Sequence, residues 1–134
     1  MTANTSEQRL AEALDAYNRG DVEAFSRHLA DDIVWHVGGD HPLSGDYRGR
    51  EAVTGYIGRV RDLTGGTLRL RPIEILADAR HAGIFMQVTG QRGSRMIDST
   101  LAEAIRLDDE GRWIEYWALA EDQEAVDAFW REEH

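Results

Sequence analysis

Around Gly65-Gly66 the spacing of apolar residues changes from helical to alternating, and this change restricts the chain to few folds. Upstream, Leu10, Ala13, Leu14 and Tyr17 recur three and four residues apart, as do Val53, Ile57 and Val60. That is the spacing of one buried helix face. Downstream, Leu68 and Leu70 and then Ile97, Leu101, Ile105 and Leu107 fall on every second position, as on a half-buried strand. Helices first and a meandering sheet afterwards define an α+β fold. The expected architecture is a cone: a strongly bent, mainly antiparallel sheet wrapped on three helices from the first half, with a short C-terminal helix. Such a cone encloses a pocket.

Local signals place the elements. Thr5-Ser6-Glu7-Gln8 fits a capping box with Thr5 as N-cap. Gly20 stops the first helix, and Asp21 can cap a second around Val22, Phe25 and Leu29. DDIVWHV reads as a strand, the following GGDHPLSG as a loop, and EAVTGYIGRVRDL as the third helix. In TLRLRPIEILA the alternation slips on either side of Pro72, which predicts a bulge or bend there. HAGIFMQVTG, RMIDSTLAEAIRL and RWIEYWAL are further strands, separated by the short turns QRGS and DDEG. DQEAVDAFWREE reads as a capped terminal helix with Val126, Phe129 and Trp130 facing inward. No repeat or linker divides the 134 residues, so a single domain over 1–134 is expected.

Composition narrows the function classes. The 15 basic against 25 acidic side chains give a formal charge of −10, the reverse of a nucleic-acid footprint. Without cysteine there is no disulfide, thiol nucleophile or zinc–thiolate site. The polar N-terminus shows no signal-peptide core and no apolar stretch reaches membrane-spanning length, so a soluble cytoplasmic protein without membrane partners is the expectation.

The chemistry centres on two residues. Ile97, Ser99, Leu101, Glu103, Ile105 and Leu107 form one strand face that is apolar except for Ser99 and Glu103. A carboxyl on such a face loses hydration and its pKa rises, so Glu103 could donate a hydrogen bond to an oxyanion. The alternative is a structural bridge to Arg69 or Arg71. His36 lies in a strand with apolar residues on both faces. It is either a proton-transfer group or a hydrogen-bonded core histidine. Asp40 and His41 sit in the glycine loop, as turn residues or as partners of His36. The His-x3-Asp-His spacing matches no strong metal signature, and G-x-x-x-x-G-K-[ST], G-x-G-x-x-G and G-x-S-x-G are all absent. Tyr17, Tyr56 and Trp117 either orient a ligand or fill the core, and alternation puts Trp113, Glu115, Trp117 and Leu119 on one face.

The segments YNRGDVEAFSRHLADDIVWHV, PLSGDYRGREAV and DDEGRWIEYWALAEDQ, in this order and spacing, resemble the nuclear transport factor 2-like superfamily in its SnoaL-like and ketosteroid isomerase-like branch. The resemblance covers nearly the whole chain. It implies a small apolar molecule in the cone, a homodimer, and acid–base chemistry without metal or cofactor. Set beside the isomerases, His36 falls at the general base and Glu103 at the protonated oxyanion donor, with Asp40 available to orient His36. The family's oxyanion tyrosine on the first helix falls at Ala13, so Tyr17 or Tyr56 would have to replace it. Trp117 matches the last-strand tryptophan of limonene epoxide hydrolases, but Leu119 stands where their aspartate does. The reading is an isomerase or cyclase acting by proton abstraction on a small carbonyl compound, with Tyr17, Tyr56, Ser99 and Trp117 shaping the pocket. Its alternative is a ligand-binding or dimerisation module of the same fold.

Overall fold

The computed structural model describes residues 5–131. Helix α1 (Thr5–Arg19) contains Thr5, the expected cap, within its span, and the side chain of Thr5 lies outside the described residues. Gly20 ends the helix at φ 78°, a left-handed conformation that glycine adopts at little cost. Asp21 then caps α2 (Val22–Ser26), its carboxylate accepting from the Ala24 N–H at 3.0 Å. Strand β1 (Leu29–Val37) follows. The next segment, read from sequence as loop, contains a short strand, β2 (Gly45–Arg48), paired antiparallel with β1. Its four residues are too few and too polar to show a period. Helix α3 (Arg50–Thr64) buries Val53, Ile57 and Val60 and closes on Gly65.

Four longer elements complete the sheet: β3 (Arg69–Ala77), β4 (His81–Arg92), β5 (Arg95–Leu107) and β6 (Trp113–Ala120). The strand order is β2-β1-β6-β5-β4-β3, with β1 and β6 parallel and every other pair antiparallel. Helix α4 (Gln123–Trp130) is capped by Asp122. The slip at Pro72 is a register shift between Pro72 and Glu74, which turns Ile73 outward. Arg92 pairs with Arg95 across the two-residue turn Gly93-Ser94, where Gly93 takes φ 62° as a type II′ hairpin requires.

A second irregularity matters more for the site. On β5, Arg106 and Leu107 are adjacent, but their β6 partners are Glu115 and Trp113, so Ile114 is an extra residue. Strand alternation inverts across it. Trp113 and Tyr116 both face the core, and Glu115, Trp117 and Leu119 face outward. The expected single face of Trp113, Glu115, Trp117 and Leu119 is thereby split. Inside, Phe25 meets Tyr17 and Trp113 edge-on at 5.7 and 5.5 Å, and Trp35 stacks on Tyr116 at 3.7 Å. The result is an α+β cone with helices over the inner sheet face and an apolar interior.

Candidate functional site

Between α1, α3, α4 and the inner sheet face lies a cavity of about 140 Å³, lined chiefly by apolar side chains. Few polar groups reach it, and the strand period of β5 puts two of them there. Ile97, Ser99, Glu103, Ile105 and Leu107 are buried and Leu101 is half-buried, all on one face.

Glu103 is 7% exposed. The Tyr116 hydroxyl donates to its Oε2 at 2.6 Å. No bridge to Arg69 or Arg71 forms, because Arg69 donates to the carbonyls of Gly66 and Leu68, and Arg71 to the Gln87 side chain. Burial without a countercharge pushes the Glu103 carboxyl up to about 7, against the smaller downward pull of the Tyr116 hydrogen bond. The phenols of Tyr17 and Tyr56 line the same cavity. Burial holds both well above the ordinary tyrosine range, with a further upward push from the Glu103 charge. They therefore stay protonated donors at any physiological pH. Ser99 completes the set, its Oγ buried without a hydrogen-bond partner among the described residues.

His36 is placed differently from Glu103. Its neighbour Trp35 faces the core, so its own ring lies on the outer sheet face, stacked on Trp117 at 5.5 Å. His36 is among the residues that border the cavity, but both ring nitrogens are engaged outside, Nδ1 with Asp46 Oδ1 and Nε2 with Glu115 Oε2, each at 2.7 Å. Those hydrogen bonds, the Glu115 one foremost, raise the His36 pKa, which favours the imidazolium. Arg106 approaches Glu115 on the same face at 3.5 Å. The strand is thus buried on one side only, and the structure does not bring the His36 ring and Glu103 together. Trp117 likewise stands outside the cavity, on the outward phase that follows the Ile114 bulge.

Asp40 does not touch His36. Its backbone N–H donates to Asp127 at 3.1 Å, and its carbonyl accepts from Arg131 Nε at 3.1 Å, so it ties the glycine loop to the end of α4. Gln123 also donates to Asp127, at 2.9 Å, and this bond is the main cause holding the Asp127 carboxyl below its usual range. His41 lines the cavity, and its Nδ1 accepts from the Leu43 N–H at 3.2 Å. Burial keeps its pKa below the ordinary value, so the ring is neutral. Among the described residues, no group of three or more His, Asp or Glu side chains is arranged to hold a metal ion. Among the described residues, no helix is long and apolar enough to cross a membrane.

Tyr116 is the site residue that sequence reasoning missed, because uninterrupted alternation turns it outward. Asp46 and Glu115, the partners of His36, lie 10 and 79 positions away from it. Only strand pairing discloses them.

Residues 10–116 match the family model of the SnoaL-like domain. The chain is 26% identical to Bal32a from a soil-derived mobile gene cassette, over 98% of this chain and 100% of that one, with a TM-score of 0.91. A protein of unknown function with a cystatin-like fold from Xanthomonas campestris is 24% identical over 95% and 98% of the two chains, with a TM-score of 0.87. IdmH, a proposed polyketide cyclase from Streptomyces antibioticus, shares the fold at 20% identity over 87% and 91%, with a TM-score of 0.69. Among curated protein sequences there is no significant match.

Proposed function

The chain belongs to the family of SnoaL-like domains, and on that premise we propose that it is an isomerase or cyclase acting by proton abstraction on a small apolar carbonyl compound. One observation carries this reading: a carboxyl with a pKa of about 7, deep in an apolar cavity and without a countercharge, beside two protonated phenols. A base is most useful when its pKa lies near the working pH. Tyr116 occupies Oε2, which leaves Oε1 to meet the substrate.

In this scheme Glu103 carboxylate takes a proton from the carbon next to the carbonyl. The C–H electron pair becomes the enolate double bond, and the charge moves to oxygen. Tyr17 and Tyr56 are the available donors to that oxygen. In a β,γ-unsaturated substrate, return of the proton from Glu103 to the γ carbon completes an isomerisation; attack of the enolate carbon on a second carbonyl carbon, whose oxygen then takes that proton, completes a cyclisation. The base role falls to Glu103 and not to His36, whose nitrogens are committed on the other face. The test uses 2-tetralone, a two-ring apolar ketone, in deuterated water. The protein should accelerate deuterium entry next to the carbonyl, and Glu103→Gln should not. Equal acceleration by the variant would exclude Glu103 as the base.

We further propose that two copies pair through the outer sheet face. By register, Phe85 of β4, Ala102 of β5 and Leu119 of β6 form one outer row, and Gly83, Ala104 and Trp117 form the next. Phe85 and Leu119 are 53% and 74% exposed, an apolar strip of the kind that marks an interface. Leu119→Glu should convert a dimer to a monomer in gel filtration with light scattering. An unchanged mass would place the interface elsewhere.

A further inference from the structure

Ser99 is a buried hydroxyl without a hydrogen-bond partner among the described residues, on the cavity face of β5, where its neighbours in the lining include Ile97, Leu101 and Val88. Buried polar atoms are nearly always paired, since leaving one unpaired forfeits its hydration with no return. An apolar residue here would continue the face that Ile97 and Leu101 begin. Toward the C-terminal end of the strand, the next polar residue on this face is Glu103, four positions along, with Leu101 between them.

From this arrangement we infer that Ser99 is a second docking point in the cavity, and that the ligand is an apolar two-ring or larger skeleton carrying an oxygen at each end. One oxygen lies at the Glu103 end of the cavity, where Tyr17 and Tyr56 are the donors in the scheme above, and the other, a carbonyl or hydroxyl, meets Ser99. The spacing follows from strand geometry: four residues at ~3.3 Å each separate the two side chains by roughly 13 Å. Allowing ~2.8 Å for each hydrogen bond leaves roughly 8 Å between the ligand oxygens. A single six-membered ring is too short to span that, and a fused pair with oxygens at opposite ends is long enough. The inference rests on the Glu103 site described above for the first oxygen, and adds to it the length and second polar group of the ligand.

The probes are 2-naphthol, with one oxygen, and 2,6-dihydroxynaphthalene, with one at each end, titrated by fluorescence. Wild-type protein should bind the diol about tenfold more tightly, the effect of one neutral hydrogen bond at a site otherwise left unpaired. Ser99→Ala should abolish that preference while leaving 2-naphthol affinity unchanged. Its thermal midpoint should equal or exceed that of the wild type, because no protein partner is lost. A merely structural serine would lower the midpoint and leave the preference intact. Glu103→Gln serves as the separating control and should weaken both naphthols alike. If the wild type shows no preference, or Ser99→Ala keeps it, the Ser99 inference fails whatever Glu103→Gln does. If Ser99→Ala removes the preference and Glu103→Gln changes nothing, the inference stands and the Glu103 assignment fails.

Discussion

A Glu103→Gln variant is expected to lose about 10²–10⁴-fold in turnover and to be relieved of a stability loss that the wild type undergoes as pH rises. The carboxyl has an ordinary value of 4.5 and stands at about 7 in the folded protein. Below the ordinary value both the folded and unfolded forms hold the proton, and Glu103 contributes nothing to the pH dependence. Between 4.5 and about 7 the unfolded chain gives up its proton and the folded chain keeps it. The folded state then binds more protons, so stability falls as pH rises. Above about 7 both are ionised and the penalty is constant. The shift corresponds to about 3 kcal/mol. Glutamine keeps the size and can still accept from the Tyr116 hydroxyl, but it does not titrate. Urea unfolding at pH 4, 6 and 8 should therefore show the wild type losing about 3 kcal/mol more than the variant across that range. Parallel curves for the two proteins would mean that Glu103 ionises as freely in the fold as outside it. The same isolation that makes this carboxyl a useful base thus lowers the stability of the fold.

Trp113→Ala should lower the unfolding free energy by about 3–5 kcal/mol, the usual cost of emptying a buried aromatic site. Trp113 is 2% exposed, meets Phe25 edge-on at 5.5 Å and lies parallel to Trp35 at 6.1 Å. Against a total stability of roughly 5–15 kcal/mol, that loss takes a fifth or more. Trp117→Ala, four positions along the same strand, should cost about 1 kcal/mol or less when both variants are compared in the monomeric Leu119→Glu background, because there Trp117 is more than a third exposed and rests on His36. Denaturant midpoints of the two variants measure the contrast. Uninterrupted alternation makes these tryptophans equivalent; the extra residue at Ile114 makes them opposite. Similar losses for both would argue against the bulge.

Much of the architecture is legible without coordinates. The caps at Asp21 and Asp122, the stops at Gly20 and Gly65, the slip at Pro72 and the turn at Gly93-Ser94 all act over a few residues, and the chain states them directly. The inner face of β5 is legible for the same reason, since nothing interrupts its period from Ile97 to Leu107. Strand β2 escapes a sequence reading because Gly45–Arg48 is short and polar. The environment of His36 escapes it because its partners come from β2 and β6, one of which is invisible and the other out of phase.

The sequence by itself determined the α+β order of elements and the apolar face carrying Ser99 and Glu103. Period and capping are local properties, set by steric and hydrogen-bonding preferences within a turn or a strand. Tertiary structure alone decided that Glu103 meets Tyr116 and no arginine, that His36 is turned outward between Asp46 and Glu115, and that Trp113 and Trp117 part company. Each of those outcomes depends on which strand lies beside which and in what register. One extra residue at Ile114 inverts every side chain after it, and that bulge exists only in the pairing of β6 with β5.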